Sequence, residues 1–599
     1  MEYAAICHNM DKNDCYALEK GKFLFKLKTK KNDIKKVTLH FQDKYIPIHF
    51  HDTRDSILMY KVASDRYTDY FECELYFDVV CLRYFFELED KNGIVAYYAN
   101  YDFYEQKPDD IEKMYDCPQN LREEEMFLVP KWAKNKVLYQ MFPSRFATSK
   151  QVNDEVWYKA PITANDNLQG NLRGMIEKLP YMKELGIDVV YMTPIFASDS
   201  SHKYDTNDYY QIDPSFGTKE DLKELVDKAH ALGMYVILDA VFNHTSQKFF
   251  AFADIKEKGT ASKYWNWYFI NEFPLKYEWG KKPNFKTFSY FGGMPKLNIR
   301  NKEVEEYVIN VAKYWIQECD IDGWRLDVGD EISHRFWKRF RETVKEVKED
   351  VLIVGEIWHY MGEFLQGDEW DTMMNYQFYN AVMDLIAREE ITPTQFLEKL
   401  DFMRGTVHTN VYPILWNLID SHDTPRFLYS CKENKQKQKL AAAIQLLTPG
   451  MPMIYYGDEV ALSGGQDPDC RRGMLWKEEL QDKQMFTWYQ TLIRIRKEHE
   501  AIICGEIVEN FTDDEKGIIV LHRKGQEEQK TDKVGADTFH IHNQAYVGTK
   551  ETAFLEYILI FHTKNTQIEL PEYAGLKNLL TGEPFDGKLV EFAVAVLEK

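Results

Sequence analysis

A chain of 599 residues is longer than one hydrophobic core fills, and at roughly 100–200 residues per domain it calls for several units, one of them large. Its 75 Lys+Arg against 96 Asp+Glu leave a formal charge of -21, a field that repels polyphosphate and anionic lipid surfaces and argues against nucleic acid and membrane as partners. Aromatic residues make up 15% of the chain, and flat rings stack well on the C–H faces of sugars.

The first ten residues (MEYAAICHNM) carry Glu2 and lack the apolar stretch of about seven residues that a secretory signal needs. No run of about 18 apolar residues spans a bilayer. The nine cysteines are irregularly spaced with no Cys-x-x-Cys pair, so a reduced, cytoplasmic protein is expected.

From 22 to 104 the pattern is period-two, as in Phe23-Leu24-Phe25-Lys26-Leu27, Val37-Thr38-Leu39-His40-Phe41 and Leu82 to Leu88, with turn residues such as Lys91-Asn92-Gly93. An N-terminal β-sandwich is expected over 1–125, of a kind that could bind carbohydrate or serve as a scaffold or dimer contact. Its acidic, Pro-containing end (105–125) reads as a linker that holds the sandwich away from the next domain. From 126 to 505 short apolar strands alternate with helix-period segments. Strands are expected at 137–142, 189–193, 235–240, 323–326, 352–355, 372–374, 414–419 and 453–455, and eight such units favour a closed (β/α)8 TIM barrel. A long segment at 243–297, rich in Trp, Tyr and Phe with no helical period, reads as a loop subdomain at the active-site end. Tyr264, Trp265, Trp267, Tyr268, Phe269, Trp279 and Phe291 would form either a sugar platform or its core. Alternation returns at 517–522 and 557–561, which places a C-terminal β-domain at 506–599.

In a parallel barrel, catalytic groups sit where strands end. The third strand ends in Asp239-Ala240-Val241-Phe242-Asn243-His244, the fourth in Arg325-Leu326-Asp327, the fifth in Gly355-Glu356-Ile357-Trp358-His359 and the seventh in Asp420-Ser421-His422-Asp423-Thr424. One rim thus collects Asp327, Glu356 and Asp423 with His244, Arg325 and His422. Cleavage of a glycoside with retention needs an ionised carboxylate and a protonated carboxyl about 5–5.5 Å apart. Arg325 points to the same side as Asp327 and is expected to hold it ionised, as a nucleophile. Glu356, between apolar Ile353-Val354 and Ile357-Trp358, suits the protonated acid/base. Asp423 would stabilise the positive charge of the transition state. Any one of these residues alone is more often a cap, an ion-pair partner or a structural histidine. Their order on successive strand ends is what carries the reading.

The segments 239–244 (DAVFNH), 323–327 (GWRLD), Gly355-Glu356 and 421–424 (SHDT) resemble the four signature motifs of the α-amylase family, and 186–196, 202–208 and 450–459 agree with it. Residues 294–298 (MPKLN), 356–359 (EIWH) and 465–471 (GQDPDCR) are similar to the cyclomaltodextrinase, neopullulanase and maltogenic amylase group. The resemblance implies Asp327 as nucleophile, Glu356 as acid/base and Asp423 as stabiliser. It further implies Tyr204 under the cleaved sugar with His244, Arg325 and His422 against it, Asp467 and Arg471 on the next glucose of the non-reducing side, and Trp358 toward the acceptor. α-Glucan or cyclomaltodextrin is the implied substrate and a homodimer the implied assembly.

Two departures stand out. The chemistry requires no cofactor, and the structural calcium of many relatives has a poor start in Ala147-Thr148-Ser149-Lys150, with Asn153, Asp154 and Asp166 as the candidate ligands. The stretch Thr424-Pro425-Arg426 lacks the acidic residue usual in the group. A transglycosylase or isomerase would use the same intermediate, and a non-catalytic carbohydrate-binding protein would not need all three carboxylates.

Overall fold

Alternation over the first hundred residues produces strands because each second side chain finds a shared apolar interior. In the computed structural model, which describes residues 1–10, 14–46, 55–77, 79–109, 111–118, 126–278, 280–359, 362–525 and 555–599, Phe23, Phe25, Leu27, Val37, Leu39, Phe41, Tyr84, Phe86 and Leu88 all lie in one buried cluster. The strands are β1 (Cys15–Glu19), β2 (Lys22–Lys30), β3 (Ile34–Asp43), β4 (Asp55–Ser64), β5 (Thr68–Tyr76), β6 (Cys81–Asp90), β7 (Val95–Ala99), β8 (Asp102–Tyr104) and β9 (Tyr115–Pro118). They pair in the order β1-β2-β5-β4-β3-β6-β7-β8, with β9 on β6.

The sandwich is not held clear of the barrel, as the acidic stretch led one to expect. It docks on the barrel helix Pro393–Thr406 and the turn that follows. Lys26 Nζ donates to Val407 O at 2.8 Å, and Arg404 reaches Glu72 with both terminal nitrogens at 3.0 and 2.7 Å. The Tyr16 ring stacks on His408 at 3.9 Å. A Cβ at Gly405 would stand 2.5 Å from the Tyr70 ring, so only glycine admits this approach. The physical reason is that Lys26 and Glu72, a buried pair 3.2 Å apart, need further partners, which Arg404 of the helix and the Val407 carbonyl just past it supply. Linker composition says nothing about the surfaces it connects. Residues 119–125 of that stretch lie outside the described residues.

The eight expected barrel strands all form, at Leu138–Met141, Val189–Met192, Tyr235–Ala240, Gly323–Leu326, Leu352–Gly355, Thr372–Asn375, Trp416–Asn417 and Met451–Tyr455, and close in chain order. Buried on both faces, they read as near-continuous apolar runs. The seventh is shorter than expected because Tyr412–Ile414 turns as a 3-10 helix before it. Helices cover the outside; Leu172–Leu185, for instance, buries Leu172, Met175, Leu179, Met182 and Leu185 against the strands and is capped by the Asn171 side chain. The 243–297 insertion contains a helix, Phe250–Lys258, that its pattern did not announce. Nine residues with buried Ala251, Phe252 and Ile255 are too few for a readable period.

At the C-terminal end Glu506–Asp513, Ile518–Lys524, Glu556–His562, Val594–Glu598 and Lys577–Asn578 form one sheet. Ile519, Leu521, Leu559, Phe561 and Val596 join the barrel's own core, while Ile518, Val520, Ile558, Ile560 and Leu597 pack into a second cluster on the opposite face. No helix among the described residues is long and apolar enough to cross a membrane.

Candidate active site

Strand register assembles the site. Asp239 is the Cα partner of Arg325, and Leu326 that of Gly355. One step beyond, Asp327 N–H donates to Ala240 O and Glu356 N–H to Leu326 O, each at 3.1 Å, so both acids emerge at the same height on adjacent strand ends. Gly355 is obligatory there: a Cβ would stand 2.1 Å from Trp370 Cε3. Arg325, with no exposed surface, lies beneath. Its Nη1 donates to Asp239 Oδ2 and Asp327 Oδ1, both at 3.1 Å, and its Nη2 lies 2.7 Å from Glu356 Oε1. Asp327 and Glu356 therefore stand one on each arm of a single guanidinium. Glu356 Oε2 also accepts from the Val328 N–H at 3.1 Å. Val328 holds φ +48, a costly left-handed conformation for a β-branched residue.

The charge balance differs from the one expected. Asp327 is pushed up, not held down: burial is the largest cause and the neighbouring Glu356 anion the next, while Arg325 pulls the other way. One guanidinium shared among three carboxyls cannot keep all of them ionised. Asp239 is likewise raised to about 6, by burial above all. Burial depresses both histidines, His244 to about 4 and His422 well below its usual value, so both are neutral at pH 7.

A hydrogen-bond chain links the remaining groups. Gln140 Nε2 donates to His422 Nδ1 at 2.7 Å, which leaves the ring proton on Nε2, facing Tyr204 OH at 2.6 Å and Asp423 Oδ2 at 3.1 Å. Tyr204 OH in turn donates to Asp239 Oδ2 at 3.1 Å, beside Tyr191 OH at 2.7 Å. The Tyr204 and His422 rings are parallel within 3°. His244 Nε2 lies 3.1 Å from Tyr204 O, and its ring stacks on Phe288. Arg471 joins the second group of predicted residues, with Nε to His422 O at 2.8 Å, Nη2 to Asp423 Oδ1 at 3.2 Å and Nη1 to Asp467 Oδ1 at 2.8 Å. Trp358 is 48% exposed and lies flat on Tyr376, with ring centroids 4.2 Å apart.

The motif 239–244 contains Asp239 but assigns it no role, and no motif assigns one to Gln140, Tyr191, Tyr376 or Val328. A polar side chain inside an apolar barrel strand was the available signal for Asp239 and Gln140. Nothing local marks the other three.

The calcium candidates do not make a calcium shell. Asn153 caps the helix Asp154–Trp157, Asp154 pairs with Lys477, and Asp166 is held by Lys159 at 2.6 Å and by the Thr163 N–H at 2.7 Å. Lysine ammonium groups already satisfy the two carboxylates. Among the described residues no cluster of three or more His, Cys, Asp or Glu is arranged to hold a metal ion. Of the insertion's rings, Trp267 and Tyr268 are buried, Tyr264, Trp265 and Phe269 half-buried and Phe291 exposed, so core and surface are both represented; Trp279 lies outside the described residues.

Comparison with known proteins gives the same picture. Residues 140–480 match the α-amylase catalytic domain and residues 1–119 the α-amylase N-terminal Ig-like domain. The cyclomaltodextrinase of Geobacillus thermopakistaniensis is 38% identical, with 100% of this chain and 98% of that one covered. Neopullulanase 2 of Thermoactinomyces vulgaris is 38% identical over 98% of this chain and 96% of its own. A solved cyclomaltodextrinase structure superposes with a TM-score of 0.87 at 33% identity, covering 100% of this chain and 98% of that one. With its barrel, its Ig-like domain and these relatives, the chain belongs to the α-amylase family of glycoside hydrolases.

Proposed function

We propose that the protein hydrolyses α-1,4-glucosidic bonds of cyclomaltodextrins and maltooligosaccharides, with pullulan and starch as further substrates, retaining the α configuration through a covalent glycosyl-enzyme. The observation that carries this reading is the pair Asp327 and Glu356 on the two arms of Arg325. Retaining chemistry wants one proton between two such carboxyls. With that proton on Glu356, burial still opposes charge on Asp327 but the repulsion from its neighbour is gone, and Arg325 favours the Asp327 carboxylate, which attacks the anomeric carbon. Glu356 gives its proton to the leaving oxygen and then takes one from the incoming water. Asp423, held by Arg471 and His422, faces the charge that develops between these steps. Tyr204 lies under the sugar, His244, Arg325 and His422 line the same pocket, and Asp467 with Arg471 receives the next glucose of the non-reducing side.

The half-exposed Trp358 on Tyr376 supports a second reading, transfer of the glycosyl unit to a sugar instead of water, since an aromatic platform just past Glu356 suits an acceptor ring. Nine irregularly spaced cysteines with no Cys-x-x-Cys pair fit the reducing cytoplasm.

Chromatography of the sugars released from cyclomaltodextrin, maltotriose, pullulan and starch distinguishes these outcomes, and proton magnetic resonance of the first product reads its anomer. The α-anomer is expected; β-anomer appearing first overturns the mechanism. Asp327→Asn and Glu356→Gln should each cut turnover by roughly three or more powers of ten with the fold intact. Residual activity above about a tenth of wild type in either, with contaminating amylase removed, would refute its role.

A further inference from the structure

Arg426 follows Asp423 by three residues and touches none of the groups around the cleaved bond, yet it has no exposed surface. Its backbone N–H donates to Gly464 O at 3.0 Å and its Nε to Cys470 O at 2.9 Å. One residue thus holds both ends of the turn that carries Asp467. The guanidinium lies 4.2 and 4.8 Å from the ring centroids of Tyr455 and Tyr456, at the end of the eighth strand.

Its charge is matched behind the site. Arg426 Nη1 donates to Asp458 Oδ1 at 3.1 Å, and Asp420 Oδ2 accepts from the Phe427 N–H at 2.7 Å. The remaining oxygens, Asp420 Oδ1 and Asp458 Oδ2, are buried acceptors that receive no donor. The two carboxyls interact directly, and burial raises both. One proton shared between them supplies the missing hydrogen bond and leaves the trio of Arg426, Asp420 and Asp458 without net charge. Arg426 Nη2 is buried without an acceptor, yet the cluster is a rigid anchor, since any displacement strands a buried charge.

We propose that Arg426 is a positioning residue for the donor side of the site, fixing the 464–470 turn against Asp458 so that Asp467 and its partner Arg471 meet the second glucose. The inference rests on the α-glucosidic reading above for the identity of that sugar. Besides Arg471, Asp423 has two anchors outside the turn, the His422 ring at 3.1 Å and Ser421 Oγ, which accepts its backbone N–H at 3.2 Å, so the cleaved glucose depends on Arg426 far less than the second glucose does.

Arg426→Lys tests this, because it keeps the charge beside Asp458 but cannot span to Cys470 O with a second arm. With maltotriose, which presents a second donor-side glucose, KM should rise about tenfold while kcat falls less than about threefold. With α-glucosyl fluoride, which presents one, both should stay within about twofold of wild type. Combined with Asp467→Ala, the substitution should add almost nothing on maltotriose beyond Asp467→Ala alone. Equal losses on the two substrates, an unchanged KM for maltotriose, or additive effects in the double variant would overturn the role. If circular dichroism shows that the lysine variant does not fold, Asp458→Asn, which keeps the size and removes the counter-charge, carries the same comparison. A wild type inactive on both substrates refutes the α-glucosidic reading instead; Arg426 is then judged from a crystal structure of Arg426→Lys, where an unmoved 464–470 turn overturns the proposal.

Discussion

At Gly355 and His244 the site depends on single atoms and single protons. The Trp370 ring occupies the space a Cβ would need at Gly355, and the next residue is Glu356. Gly355→Ala should therefore cost about 1–3 kcal/mol from overpacking and, by displacing Glu356, lower kcat at least about tenfold with little change in KM. Steady-state kinetics beside thermal melting checks both effects, and wild-type kcat would contradict the placement. His244 makes a pH prediction. Its folded value of about 4, set by burial, lies below the roughly 6.5 of the unfolded chain. The unfolded chain therefore takes up this proton first as pH falls. The stabilising contribution is complete above about pH 6.5 and is lost as pH drops toward 4, at up to about 1.4 kcal/mol per pH unit. His244→Asn should flatten the fall of melting temperature across that window, and an unchanged slope would mean that His244 does not titrate as described.

Between elements, the sandwich and the barrel meet through charges that neither could bury alone. Glu72 is held below the usual carboxylate range: burial pushes it up, but Arg404 and Lys26 together outweigh that. Arg404→Met should remove one of the two cations, leave Glu72 and Lys26 as an imperfect pair, and destabilise the docked sandwich by about 3 kcal/mol. Differential scanning calorimetry should then show the sandwich melting before the barrel, and superposed wild-type and variant traces would show that the contact is unimportant. This interface was not legible in the sequence. Lys26 sits in a strand of apolar alternation and Arg404 in an ordinary helix, and no pattern within 30 residues of either names the other. The helix Phe250–Lys258 is illegible in the sequence for a different reason, since it is too short to establish a period.

For the whole molecule, the docked sandwich changes what its removal should do. If the protein is a homodimer whose sandwich covers the partner's cleft, deletion of residues 1–125 should lower the mass seen by light scattering by more than half and raise the ratio of starch to cyclomaltodextrin activity. A narrowed pocket admits a compact ring whole, while a long chain must give up conformational freedom to enter. Because deletion also bares Arg404 and His408, circular dichroism has to show a folded barrel first. A folded truncation with the mass of one protomer from an already monomeric parent, and an unchanged substrate ratio, refutes the dimer-gated pocket. The C-terminal sheet should tolerate no such removal, since Leu559, Phe561 and Val596 belong to the barrel core.

Local pattern determined a great deal. The eight strands, the two flanking β-domains and the positions of Asp327, Glu356 and Asp423 follow from apolar runs that bury themselves and from polar residues at their ends, properties carried by short stretches of chain. Tertiary structure decided what those residues share. Strand register sets Arg325 opposite Asp239 and between the two acids, so that Asp327 is raised where its neighbour two residues away suggested the reverse. The fold also gives Arg426 a place behind the donor side, clamping a turn about forty residues later in the chain. Electrostatic balance in a buried site depends on every charge within a few ångströms, and those charges come from strands far apart in sequence, whose distances only the closed barrel defines.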